Sequence, residues 1–161
     1  MKHLFMLTFI IISFVLLSGC ENSNNEGSNE KTNLTSTTYD IVNDLDGVTM
    51  RVKENTVSST GLTVILENQS DKECIYGEDF LLEKEIDGKW YQVPIALEDN
   101  YGFNDIGYDL ASSEIKEWTA EWKWLYGSLG KGKYRIVKDV LDFRGTGDYD
   151  KHHLAADFTL E

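Results

Sequence analysis

Any chemistry in this chain would have to start from a small set of side chains. Cys74 is a candidate nucleophile, but a thiol needs a base beside it to raise its thiolate fraction. Beyond the first few residues the only histidines are His152 and His153, far along the chain. Cys74 is therefore expected to be a small buried hydrophobe. Lys151-His152-His153 offers ligands of the kind zinc or copper takes, yet neighbours on a strand point to opposite faces and would hardly meet one ion. Asp139, Asp142, Asp148, Asp150 and Asp157 could give oxygens to calcium, but EF-hand spacing is absent and such acidic loops are as a rule solvated. Glu83 and Glu85 fall on one face of a strand; paired carboxylates can do acid–base work, but solvated face residues are the expected reading. Gly145-Thr146-Gly147 lacks the lysine and helix of a phosphate loop and reads as a turn. No Gly-x-Ser-x-Gly elbow occurs. No catalytic residue, metal ligand or cofactor site is assigned, and the expectation is a non-enzymatic protein.

Aromatic side chains are the remaining candidates. Tyr101 and Phe103 lie in a long segment, 95–114, among Asp and Gly. They are the expected ligand-contact residues, because function concentrates on loops carried by a rigid scaffold. Trp122, Trp124 and Tyr126 form a second set, which alternation assigns at least in part to the core.

Cys20 calls for different chemistry. Lys2 and His3 make a short positive start, and Leu4 to Leu17 is apolar apart from Thr8 and Ser13. A membrane-crossing helix needs about 20 apolar residues; this shorter run fits the core of a signal peptide. Leu17-Ser18-Gly19-Cys20 resembles the bacterial lipobox. That resemblance implies a diacylglyceryl group on the Cys20 thiol, removal of residues 1–19, and Cys20 as the first residue of the mature chain. Two acyl chains hold durably where one is marginal. Residues 20–38 then read as a lipidated, disordered tether, polar but for Leu34, spanning about 20–25 Å by random-coil scaling. The expected location is the extracytoplasmic face of the cell membrane.

The 161 residues suggest a single folded domain, residues 39–161. The net charge is −13; cleavage would remove Lys2 and no acidic residue, leaving −14. Such a chain repels phosphate backbones and anionic headgroups, which speaks against nucleic acid as a partner. With Cys20 lipidated, Cys74 has no intramolecular disulfide partner.

The elements that must position these side chains read as strands. Val48, Met50 and Val52 alternate with polar residues, as do Leu62, Val64 and Leu66. Asp87-Gly88 between two strand-like runs predicts a tight hairpin, because both central residues need positive φ. Pro94 predicts the end of an edge strand. Trp118, Ala120, Trp122 and Trp124 alternate as one strand. Tyr134–Leu141 is β-branched-rich, and Leu154, Ala156, Phe158 and Leu160 alternate again. The pattern predicts about 7–8 strands, no long helix, and an all-β antiparallel sandwich.

Several stretches resemble a bacterial Ig-like domain found in lipoproteins of Gram-positive bacteria. They are Gly61–Asn68, Tyr76-Gly77 with Phe80–Lys84 and Asp87–Tyr91, Trp118–Gly127 with Gly132–Lys138, and Leu154–Phe158. The resemblance covers roughly residues 48–161. It implies an Ig-like β-sandwich and carries over no catalytic residue. Tyr134, after a glycine-rich turn, stands where such sandwiches place a tyrosine whose hydroxyl returns to the backbone; a plain core tyrosine fits equally. Cys74 and the segment 95–114 depart from the pattern. The function expected is a membrane-anchored binding or interaction module, with a cell-surface protein or cell-wall glycan as partner. The alternative is a structural or envelope-maintenance lipoprotein without a discrete ligand.

Overall fold

Alternating burial creates two sheets that cover each other's apolar faces. The computed structural model describes residues 34–97 and 100–161. The signal region, Cys20 and most of the expected tether lie outside the described residues. The smaller sheet joins β1 (Val48–Val52), β2 (Gly61–Asn68) and β7 (Ile115–Glu121) in the order β1-β2-β7. The larger sheet runs β5 (Lys89–Gln92), β4 (Leu81–Ile86), β8 (Gly132–Gly145), β3 (Cys74–Tyr76), β6 (Tyr108–Leu110), with β9 (Asp148–Leu160) on the other side of β8. All pairings are antiparallel. The described residues thus form nine strands, one or two more than the alternation predicts. Alternation marks neither β3 nor β6, and β6 lies inside the segment read as a loop.

The core is where the inward parities meet. Val64 and Leu66 of β2, Leu82 of β4, Ile136 and Val140 of β8 and Leu154 of β9 are completely buried. The β4–β5 hairpin turns on Asp87 and Gly88, with φ of 50° and 74°, as the Asp-Gly pair predicts. β5 is an edge strand, consistent with Pro94 just beyond it. The Tyr134 hydroxyl donates to the Gly130 carbonyl at 3.0 Å. That is the backbone return expected of the Ig-like tyrosine.

β8 is long enough to serve two neighbours along one edge. Its Tyr134–Val137 stretch pairs with β4 and its Val140–Asp142 stretch with β3. Between them the ladder is interrupted. There Lys138 turns inward and its Nζ donates to the carbonyls of Gly77 and Asp79, at 2.8 and 2.9 Å. The side chain so ties down the connection between β3 and β4, which strand pairing does not reach.

The outer face of the larger sheet is covered too. The Thr37 amide donates to Trp90 O and the Gln92 amide to Thr35 O, so the incoming chain lines the β5 edge. Further along, Asn43 bonds the backbone of His153 and Ala155 on β9. Glu83 is consequently fully buried rather than solvated, which corrects the sequence reading. Its Oε2 accepts from Arg135 Nε at 2.6 Å, and the guanidinium lies 4.6 Å from the Trp90 ring centre. Glu85 pairs with Lys133 at 2.5 Å, so the two carboxylates have separate partners.

Candidate functional site

A change of periodicity builds the most distinctive surface of the domain. β7 stops at Glu121, and Lys123–Tyr126 forms one helical turn, α1. Strand parity would put Trp122, Trp124 and Tyr126 on one face. The helical turn instead buries Trp122, Leu125 and Tyr126, spaced i, i+3, i+4, and turns Trp124 outward. Trp122 is held by its own amide on Thr60 O and its indole N–H on Ser59 O. Gly127 ends the turn at φ 70° and ψ −149°. The continuous strand through Trp124 expected from alternation is therefore corrected, and Trp124 is 47 % exposed.

Tyr101 and Phe103 come to the same place. Tyr101 is 46 % exposed, and Phe103 is half-buried against the core. The Phe103 ring centre lies 5.7 Å from Trp124 and 6.2 Å from Tyr101, both edge-on. Phe80, 5.4 Å from Phe103, continues the contact inward to Trp118 and Tyr126. Edge-to-face packing at these separations is favourable and holds the rings in place. The outer rings are thus anchored to the core, not loosely displayed. Ala96 N bonds Leu125 O and draws exposed Ile95 and Leu97 alongside α1.

A groove of about 300 Å³ runs beside these rings, lined among others by Phe103, Trp118, Trp124, Glu78 and Glu121. Glu78 accepts a hydrogen bond from the Tyr108 hydroxyl, which fixes its carboxylate. Glu121 is exposed and makes no ion pair among the described residues. Under the groove floor, the Lys138 ammonium lies 3.5 Å from the Trp118 ring centre. Sequence reasoning singled out Tyr101 and Phe103 but missed Glu78 and Glu121. The signal for Trp124 was available: apolar Trp122, Leu125 and Tyr126 at helical spacing, followed by Gly127.

The other chemical candidates are dispersed. Cys74 is 1 % exposed, and burial, then the nearby Asp142, hold its thiol above the ordinary range. His152 and His153 take separate partners, Asp44 at 3.2 Å and Asp139 at 2.8 Å. Lys151 also binds Asp139, Lys72 binds Asp142, and Arg144 binds both Asp148 and Asp150. Lys72 holds the Asp142 carboxyl below its usual range. The aspartates thus face cationic side chains, and no group of three or more metal-binding side chains converges among the described residues.

Two solved structures are similar to the chain at a low level. The archaellum periplasmic stator protein FlaG from Sulfolobus acidocaldarius is 11 % identical, with a TM-score of 0.33 over 70 % of this chain and 99 % of that one. The ASH / PapD-like domain of human CEP192 is 14 % identical, with a TM-score of 0.34 over 76 % and 93 %. No curated protein matches the chain. At family level, residues 44–159 match the bacterial Ig-like domain, which covers both sheets and the aromatic surface alike. The two-sheet sandwich, the returning tyrosine hydroxyl and this match agree: the chain belongs to the bacterial Ig-like domain family.

Proposed function

We propose that this protein is a lipid-anchored, extracytoplasmic interaction module with no catalytic role. Its Ig-like domain would bind a partner at the cell surface through Tyr101, Phe103 and Trp124. The observation that carries this reading is the aromatic cluster itself. Two large rings, each nearly half exposed, are held side by side on a half-buried third. Rigid aromatic anchors with a polar rim are the usual centre of a binding surface, since they offer contact area at little entropic cost. The lipobox-like stretch ending in Cys20 supports the placement at the membrane.

The test is crosslinking and capture from live cells. The full chain should enrich a surface protein or wall glycan over a control carrying only residues 1–38. The Tyr101→Ala/Trp124→Ala double variant should lose most of that enrichment. Equal capture by the full chain and the control would defeat the binding reading and favour an envelope-maintenance role without a discrete ligand.

A further inference from the structure

The groove beside Trp124 carries more than apolar surface. Its walls combine the faces and edges of Phe103, Trp118 and Trp124 with the carboxylates of Glu78 and Glu121. A ring face attracts a cation through its quadrupole, most strongly when the cation is also shielded from water. A carboxylate within a few ångströms adds direct attraction, weakened by solvent at such an exposed site. The protein uses the same pairing in its own packing. Lys138 sits over Trp118, and Arg135 and Lys133 sit over Trp90.

Resting on the reading of this cluster as a binding surface, we infer that the groove takes the lysine or arginine side chain of a basic partner segment. The cation lies against Trp124 and Phe103, with Glu78 and Glu121 as its counter-charges. Charge decides between the possible occupants. Glu121 has no counter-ion among the described residues, while the Lys138 ammonium beneath the floor already has Glu78, Asp79 and Asp139 near it. The full chain stands at −13, which draws a basic segment and repels a second copy of the same acidic surface. A neutral glycan would stack on the rings but would leave the Glu121 carboxylate without a charged partner.

The test uses the full chain, isotope-labelled and solubilised in a non-ionic detergent, and follows its four tryptophan indole signals. Three probes are titrated: acetyl-Gly-Lys-Gly-Lys-Gly-amide, the same peptide acetylated on both lysines, and an N-acetylglucosamine tetramer. The lysine peptide should shift the Trp124 indole saturably. The acetylated peptide should bind at least about fivefold more weakly, and Trp124→Ala should weaken the lysine peptide by a similar factor. Glu121→Gln should weaken it severalfold without unfolding the domain, since Glu121 is exposed. Several results would overturn the inference. Equal binding of the acetylated peptide, or lysine-peptide shifts that survive in Trp124→Ala, would show that no cation is selected here. Binding of the sugar in place of the peptide would overturn the cation while keeping the cluster as a binding surface. Shifts at Trp124 that depend only on protein concentration would point to a second copy. Failure of every probe to move Trp124 would end the inference, while loss of live-cell capture in the aromatic double variant would still support the surface.

Discussion

Lys138 shows how one side chain can serve the fold at an electrostatic cost. It is 1 % exposed, and burial lowers its ammonium from the ordinary 10.5 to about 8, against the pull of Asp79, Glu78 and Asp139. Between about pH 8 and 10.5 the unfolded chain therefore holds a proton that the folded chain has released. Stability from this group is full above the unfolded value and is lost as pH falls through about 8. The shift corresponds to roughly 3 kcal/mol across the window. Tyr39 and Tyr126 act oppositely: burial raises both to about 12, so their contribution is lost above about pH 10. Urea unfolding between pH 7 and 9.5 should give rising stability in the native chain and a flatter profile in Lys138→Met. The variant also leaves the Gly77 and Asp79 carbonyls without their donor, so the slope is the readout, not the absolute stability. A native chain with no rise over this range would contradict a proton lost from a buried lysine.

At the scale of elements, the α1 turn is what converts a strand of tryptophans into an exposed site. It depends on Gly127, whose φ of 70° and ψ of −149° lie in a region open essentially to glycine alone. Space is not the constraint there, since an added Cβ would meet only the Ala96 Cβ, at 4.0 Å. Gly127→Ala should cost about 1–3 kcal/mol in urea unfolding through backbone strain and should alter the Trp124 indole signal. An unchanged midpoint and signal would mean that the turn tolerates another conformation. The strands themselves were legible because alternation with a buried face is a two-residue signal. β1, β2, the Asp87-Gly88 hairpin and β9 all stand where that signal and the turn residues place them. What alternation does not carry is a covering from outside the sheet. Glu83 has an outward parity, yet it is fully buried beneath Arg135, whose guanidinium lies against Trp90 and bonds Thr37 of the entering chain. It carries convergence no better: Tyr101 and Trp124 meet across the fold at 6.5 Å, a pairing that no spacing along the chain encodes.

The whole molecule joins an acidic domain to an expected lipid attachment, and the two make separable demands. A chain at −13 gains nothing from an anionic bilayer, whose surface potential repels it. No described helix is long and apolar enough to cross a membrane. The proposed function assigns membrane association to the acyl chains on Cys20, which lies outside the described residues. Each buried methylene contributes about 0.8 kcal/mol, and this apolar term is insensitive to the salt that would release a protein held by charge. Wild-type protein should thus stay with membranes through a high-salt wash and leave only in detergent. Cys20→Ala should incorporate no radiolabelled fatty acid and should appear outside the detergent-extracted membrane fraction at any salt concentration. The Ig-like domain should remain folded in that variant, since its family match begins only at residue 44, and its thermal unfolding midpoint provides the control. Continued labelling of Cys20→Ala would place the lipid elsewhere. An unlabelled variant that still stays with membranes would show that the retained apolar run Leu4–Leu17 or the domain, not the lipid, holds the protein there.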